Sequence, residues 1–161
     1  MDRLWSQPSP RDAVPRIERS VTIARSVPDV FSYMDDVDRE HEWQPNLRAA
    51  SQEPRGRVGV GTLKRYTSVF MKKERHNVYR VTAYEMYVRV VYESTPESAT
   101  QATAAVRWQQ VPEGTRVTMS IDAAPGRALK LMPGKALESA TTRELERMLQ
   151  LLKEVLEGRP G

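Results

Sequence analysis

The feature that most constrains the fold is a series of strand-like segments between residues 47 and 122. The breaks between them carry turn residues, such as Gly59-Val60-Gly61 and Pro112-Glu113-Gly114. Such short connections join antiparallel neighbours, because a parallel pair needs a crossover of about a dozen residues or more. We therefore predict an antiparallel meander built from residues 47–53, 62–71, 75–84, 86–94, 100–111 and 115–122.

Four further predicted elements flank this meander. Residues 16–24 alternate apolar and polar side chains, which is the pattern of a half-buried strand. Ser26 and Asp29 have the spacing of a capping box, so a short helix is predicted to begin there, followed by a second short helix or turn that stops at Pro45. Residues 135–157 carry an apolar stripe at helical spacing, which predicts a long amphipathic helix.

The order of these elements predicts an α+β fold, in which a curved antiparallel sheet of about seven strands wraps around the C-terminal helix. This helix is the only predicted element long enough to cover the apolar face of the sheet. A curved sheet around one helix leaves a space in which small hydrophobic molecules bind. We expect a flexible tail over residues 1–14 and a single domain over residues 15–158. Residues 125–134 form either a kinked start of the last helix or a lid over the pocket.

Composition excludes several kinds of site. The chain has no cysteine, so disulfides, thiolate metal sites and a cysteine nucleophile are excluded. His41 and His76 are its only histidines, and no ligand spacing around them indicates zinc. We therefore expect neither a metal nor a cofactor.

Charge and hydropathy limit the partners and the location. The net charge of +4 is scattered along the chain, whereas nucleic-acid-binding proteins show a basic stripe, so no nucleic-acid partner is expected. No stretch approaches the ~20 apolar residues of a membrane span. The N-terminus does not resemble a signal peptide, and together with the lack of cysteine this favours a cytoplasmic protein.

Strand alternation predicts which side chains face the space between sheet and helix. Val88 is expected to point inward with its neighbours on the same face. Tyr33 and Trp43 either pack the short helices against the sheet or shape the pocket mouth, and Trp108 either fills the core or lines the pocket. The candidate ligand-binding residues are Tyr33, Trp43, Val69, Val90, Val106, Trp108, Met119, Leu137, Thr141, Leu145 and Met148.

The segment 62–71 admits two registers. If Lys64 faces water, Arg65 and Val69 point inward; a shift of one residue turns Tyr66, Ser68 and Phe70 inward and exposes Arg65. An inward guanidinium would hold a carboxylate, an enolate or a thioester carbonyl. Tyr79 or Tyr92 would then donate a proton to a developing alkoxide. Arg65, Tyr79 and Tyr92 are therefore the candidate catalytic residues.

Several motifs follow one another in a set order: Val21-Thr22-Ile23, Val27-Pro28-Asp29-Val30-Phe31, Asp36 with Trp43, Gly59-Val60-Gly61, Gly114-Thr115-Arg116-Val117-Thr118, and Arg147-Met148 with Leu151-Leu152-Lys153. This order resembles the SRPBCC superfamily, which includes the Bet v 1, START and polyketide cyclase/dehydrase groups. The resemblance covers roughly residues 16–157 and implies a helix-grip fold with a pocket for a hydrophobic small molecule.

The C-terminal part carries two further motifs, Asp122 with Pro125-Gly126 and Thr141-Thr142-Arg143 with Glu146-Arg147-Met148. They are similar to tetracenomycin-type aromatase/cyclases, which implies aldol cyclisation and dehydration of a polyketide-like substrate.

Three functions remain open at this point. A cyclase or dehydratase needs polar groups that converge on one reacting atom, whereas a non-catalytic carrier of a lipid, quinone or similar ligand needs only an apolar cavity. A surface module would instead make weak contact with anionic membranes. Its basic side chains would be Lys64, Lys72, Lys73, Arg75, Arg127, Lys130 and Lys135.

Overall fold

Seven strands and two α-helices make up the described part of the chain, residues 16–124 and 134–158 of a computed structural model. All neighbouring strands are antiparallel, in the order β1-β7-β6-β5-β4-β3-β2. The predicted fold, with two short helices between the first two strands, is confirmed. The elements are β1 (Ile17–Ile23), α1 (Val27–Asp35), a 3₁₀ helix (Val37–Glu42), β2 (Leu47–Glu53), β3 (Leu63–Phe70), β4 (Lys73–Glu85), β5 (Arg89–Ser94), β6 (Gln101–Val111), β7 (Gly114–Ala124) and α2 (Gly134–Glu157).

Side-chain caps fix the two short helices between β1 and β2. The Ser26 hydroxyl accepts a hydrogen bond from the Asp29 amide at 3.3 Å, which is the N-cap expected from the sequence. The Asp36 carboxylate likewise accepts from the Asp38 amide at 3.0 Å and begins the 3₁₀ helix. This geometry places Glu40 of the 3₁₀ helix in the interior, with 3% of its surface exposed.

Turn geometry sets the register of the hairpins. The two residues between β3 and β4, Met71 and Lys72, have φ angles of 56° and 65°. Positive φ at both positions is the type I′ pattern, whose twist matches that of the flanking strands. At the start of β7, Gly114 has a φ of 138°, and a Cβ there would lie 2.2 Å from the Ile23 carbonyl oxygen. Only glycine therefore allows β1 and β7 to approach so closely.

Helix α2 packs against the sheet mainly through its C-terminal half. Leu149, Leu152 and Leu156 are buried there in the same apolar core as Ile23 and Val117. Each such side chain stabilises the fold by about 1.5–3 kcal/mol when it is fully buried. The Lys153 ammonium also donates to the Thr22 carbonyl oxygen at 2.7 Å, which ties the helix to β1.

Some expectations are corrected and others fall on residues that the structure does not describe. β5 begins at Arg89, so Val88 lies in the preceding turn and 49% of it is exposed, contrary to its predicted inward position. The predicted tail over residues 1–14 and residues 125–133 of the predicted lid lie outside the described residues. Of the helices in the described residues, none combines the length and apolar character needed to cross a bilayer.

Candidate functional site

A cavity of about 260 Å³ lies between the sheet and the N-terminal part of α2. Its volume is slightly below the roughly 300–1,000 Å³ of typical small-molecule sites, which limits the size of a ligand. Most of the wall is apolar, with side chains from both α-helices, the 3₁₀ region and strands β2 to β7. The apolar wall includes Met34, Leu47, Phe70, Val106, Met119, Ile121, Leu137, Leu145 and Met148.

Most of the residues singled out from the sequence line this cavity. Tyr79 and Tyr92, two of the three catalytic candidates, face it from β4 and β5. Their roles in catalysis or binding stay predictions. The ligand-binding candidates that line the cavity are Trp43, Val69, Val106, Trp108, Met119, Leu137, Thr141, Leu145 and Met148.

Three candidates do not line the cavity. Val90 is fully buried in the apolar core, and Tyr33 is buried with its hydroxyl donating to the Glu42 carboxylate at 2.9 Å. The Arg65 side chain is 50% exposed and forms an ion pair with Glu53 at 2.8 Å. Of the two registers left open for residues 62–71, the structure has the second, which exposes Arg65 and turns Lys64 and Tyr66 toward the interior, so Arg65 does not face the cavity.

The register of β3 buries Lys64, which pairs with the carboxylate of Glu40. The Lys64 ammonium is 3.1 Å from Glu40 Oε1, and the side chains of the pair are 1% and 4% exposed. The Tyr66 hydroxyl donates to the same oxygen at 3.0 Å, and the Gln44 amide donates to Oε2 at 2.7 Å. Glu40 is therefore fully hydrogen-bonded, although burial raises its pKa against the opposing effect of Lys64.

Asp35, at the end of α1, is another of the three carboxyls that line the cavity, with Glu40 and Glu144, and its environment differs from that of Glu40. The Tyr84 hydroxyl donates to its Oδ2 at 2.9 Å. Its Oδ1 is buried and has no hydrogen-bond partner among the described residues. Burial raises the pKa of Asp35, and attraction to Lys64 only partly offsets this effect. A carboxyl with a raised pKa and a free oxygen in a cavity can exchange a proton or a hydrogen bond with a ligand.

Two nitrogen donors in the wall also lack partners. Trp43 Nε1 and Arg75 Nε are buried and have no acceptor within the described ranges of the chain, and both residues line the cavity. Trp43 is 3% exposed, so water does not readily satisfy its donor. Buried polar atoms without partners are rare in folded proteins, and in a cavity wall they mark positions where a ligand can bind.

The tyrosines of the cavity remain protonated at neutral pH. Burial raises the pKa values of Tyr66, Tyr79 and Tyr92 above 10.0. The nearby Glu40 carboxylate raises those of Tyr66 and Tyr92 further. These hydroxyls therefore act as hydrogen-bond donors rather than as phenolates.

Comparison with known proteins identifies the family to which this chain belongs. Residues 14–157 match the family model described as polyketide cyclase / dehydrase and lipid transport. The chain belongs to this family. The family and the SRPBCC superfamily inferred from the order of motifs are thus confirmed. No curated protein matches the sequence.

Solved structures with low sequence identity show the same fold. The protein TTHA0849 from Thermus thermophilus is 17% identical, with a TM-score of 0.75 over 88% of this chain and 97% of that one. A START superfamily protein from Mycobacterium smegmatis is 13% identical, with a TM-score of 0.73 over 88% and 97% of the two chains. The di-domain ARO/CYC StfQ from the steffimycin biosynthetic pathway is 18% identical, with a TM-score of 0.70 over 91% of this chain and 52% of StfQ.

In this member of the family, the sequence alone did not reveal the polar residues of the cavity wall. No local pattern distinguishes Asp35 or Glu40 from the other acidic residues between Ser26 and Pro45. The sequence left open whether Lys64 faces water or the interior, because the partner that allows a lysine to be buried lies 24 positions away. One local signal was present, since Lys64 shares its face of β3 with Tyr66, Ser68 and Phe70.

The structure also shows the exposure of His76 and of the basic side chains proposed for a membrane-binding surface. His76 is exposed beside Thr67 and Glu74, and the described residues contain no group of three potential metal ligands. Lys72, Lys73 and Lys135 are exposed, but Lys64 is buried and cannot contribute to a membrane-binding surface. Arg127 and Lys130 lie outside the described residues.

Proposed function

We propose that the protein binds a hydrophobic small molecule in the cavity between the sheet and α2. The observation that carries this proposal is the cavity itself, which has an apolar wall and a volume of about 260 Å³. Transfer of an apolar ligand from water to such a wall is favourable by roughly 25 cal/mol for each Å² of apolar surface buried. The family description, which includes lipid transport as well as cyclases, supports a ligand of this kind.

A substitution that fills the cavity tests this function. Ala104 lines the cavity from β6, and Ala104→Phe replaces part of the empty space with a ring. Thr103→Phe, on the exposed face of the same strand, is the matched control. The probe is N-phenyl-1-naphthylamine, a neutral apolar dye whose fluorescence increases on leaving water. We expect Ala104→Phe to weaken binding at least about tenfold, or about 1.4 kcal/mol, while the control binds as the wild type does.

Two results would contradict the binding function. The first is a wild-type protein that does not bind the dye and carries no apolar molecule in native mass spectrometry. The second is equal affinity of both variants, which would place the dye outside the cavity. Circular dichroism of each variant shows whether the fold is retained.

A second function, aldol cyclisation with dehydration, is favoured by Asp35, whose carboxyl has a raised pKa and one oxygen without a hydrogen-bond partner among the described residues. Its carboxylate can remove a proton from the carbon beside a ligand carbonyl, and the resulting enolate can attack a second carbonyl of the same molecule to form a carbon–carbon bond. Tyr79 or Tyr92 would donate a hydrogen bond to the developing oxyanion, which then takes up a proton. Loss of a second proton and of the hydroxyl group releases water and leaves an enone. The likeness to the ARO/CYC protein StfQ supports this chemistry as a candidate.

The cyclisation of 2,6-heptanedione to 3-methylcyclohex-2-enone and water tests this second function by ultraviolet absorbance. We expect Asp35→Asn to abolish any acceleration and Arg65→Ala to leave it unchanged, because Arg65 lies outside the cavity. Equal loss in both variants, or no acceleration by the wild type, would argue against catalysis and leave the binding function in place.

A further inference from the structure

We propose that the cavity binds an elongated apolar hydroxy acid from end to end, with the ligand's hydroxyl at Asp35 and its carboxylate at Arg75. This inference rests on the proposed binding function and adds the chemical class of the ligand. It derives from two unpaired polar atoms of opposite kinds in the cavity wall, the acceptor Asp35 Oδ1 and the donor Arg75 Nε.

The register of β3 and β4 places the two ends apart. Lys64 pairs with Tyr79, and Ser68 pairs with Arg75. The two pairs are four residues apart along the strands, which corresponds to about 13 Å. Asp35 belongs to the Lys64 end, because the Lys64 ammonium is the main charge that stabilises the Asp35 carboxylate. A ligand that contacts both Asp35 and Arg75 must therefore be elongated.

The Asp35 end favours a hydroxyl over a carboxylate. It contains the carboxyls of Asp35 and Glu40, while the single ammonium there, that of Lys64, donates to Glu40. A carboxylate placed beside Asp35 Oδ1 would be repelled by that carboxyl, and the ammonium of Lys64 is already held by Glu40. A ligand hydroxyl can donate to Oδ1, which no described residue does.

The Arg75 end favours an acceptor with negative charge. Arg75 forms no ion pair with any described residue, and its buried Nε–H has no acceptor there. Guanidinium binds carboxylate well, because its planar N–H groups match the two oxygens. Asn77, on the same strand face as Arg75, lines the cavity between the two ends and adds a polar side chain along the path.

The unpaired indole of Trp43 supports a ligand with polar groups. Trp43 is buried, with 3% of its surface exposed, and its Nε1 has no acceptor among the described residues. An oxygen atom of the ligand would supply that acceptor, whereas a pure hydrocarbon would leave it unpaired. The cavity therefore favours a ligand that carries oxygen atoms as well as an apolar body.

Three rigid ligands of similar shape test the two ends of the cavity separately. 6-Hydroxy-2-naphthoate carries both groups, while 2-naphthoate lacks the hydroxyl and 2-naphthol lacks the carboxylate. Displacement of N-phenyl-1-naphthylamine gives their affinities for the wild-type protein at neutral pH. We expect 6-hydroxy-2-naphthoate to bind at least tenfold more tightly than either of the others.

Two variants should then produce opposite changes. Asp35→Ala should weaken the binding of 6-hydroxy-2-naphthoate and 2-naphthol about tenfold, because one hydrogen bond to the ligand is lost. The affinity for 2-naphthoate should not change. Arg75→Gln should weaken the binding of 6-hydroxy-2-naphthoate and 2-naphthoate, whereas the affinity for 2-naphthol should not change. Arg80→Gln, on the exposed face of β4, is the control and should change none of the three. If Asp35→Ala does not fold, Asp35→Asn replaces it, with a smaller expected loss because its amide oxygen still accepts.

The outcomes distinguish this inference from the binding function on which it rests. Equal affinity of the wild type for all three naphthalenes, or a loss that is the same for every ligand in each variant, would overturn the hydroxy-acid assignment. Dye binding would then still support the apolar cavity. A wild-type protein that binds neither the dye nor any naphthalene would overturn the binding function as well.

Discussion

Glu40 and Asp35 are two inward carboxyls in the wall of one cavity, and their surroundings differ. Three donors satisfy Glu40, one of them the ammonium of Lys64. Asp35 has the Tyr84 hydroxyl on one oxygen, and its other oxygen has no partner within the described residues. A carboxyl with all its hydrogen bonds made within the fold stabilises that fold, whereas one with a free oxygen remains available to a ligand.

The largest effect is expected from breaking the buried pair. Lys64→Met removes the ammonium and leaves the Glu40 carboxylate buried with only the Tyr66 hydroxyl and the Gln44 amide. Breaking a buried ion pair in this way lowers the free energy of unfolding by about 3–5 kcal/mol. Urea unfolding followed by circular dichroism measures the loss.

The double variant Lys64→Met with Glu40→Gln shows whether the loss arises from the unpaired charge. Because no charge is then stranded in the interior, we expect the double variant to recover most of the stability lost in the single one. A double variant as unstable as Lys64→Met alone would show that lysine contributes through packing and not through its pairing with Glu40.

A smaller effect, identified by its pH dependence, is expected at Asp35. Burial raises its pKa above 3.8, so the folded state holds the proton more tightly than the unfolded state does. Its contribution to stability is therefore present at low pH and is lost as the pH rises from 3.8 through the folded-state pKa. Asparagine does not titrate, so the stability of Asp35→Asn relative to wild type should increase over this interval. Urea midpoints at about pH 3.5 and about pH 7 measure it, and a constant difference would contradict the assignment.

The smallest effect is expected at Arg65, which the sequence presented as a catalytic candidate. Its ion pair with Glu53 is half-exposed, and such pairs contribute about 0–1 kcal/mol to stability. Arg65→Ala should therefore change the urea midpoint little and leave dye binding unchanged. A loss of binding comparable to that of Ala104→Phe would show that Arg65 reaches the ligand in solution.

The parts of the fold that could be predicted are those with local signals. The Ser26 cap, the turns rich in glycine and proline, and the helical spacing in α2 depend on neighbours close in sequence. Alternation placed Tyr79, Val106 and Met119 on the cavity side. Local signals of this kind also sufficed to identify the family.

The polar wall could not be predicted, because it depends on pairing across the sequence. Whether a lysine is solvated or buried is decided by a partner, and Glu40 lies on a different element from Lys64. Without that partner, the alternation of β3 leaves two registers open, one with Lys64 in water and one with Arg65 exposed. Asp35 is similar, since only the packed structure shows that one of its oxygens lacks a donor.

The two ends of helix α2 have different roles. Leu149, Leu152 and Leu156 fill the core, whereas Leu137 and Thr141 lie over the cavity. Substitutions over the cavity change its shape without removing the contacts that Leu149, Leu152 and Leu156 make in the core. During evolution, such a protein can acquire a new ligand by changing one or two turns of a helix while the rest of that helix preserves the fold.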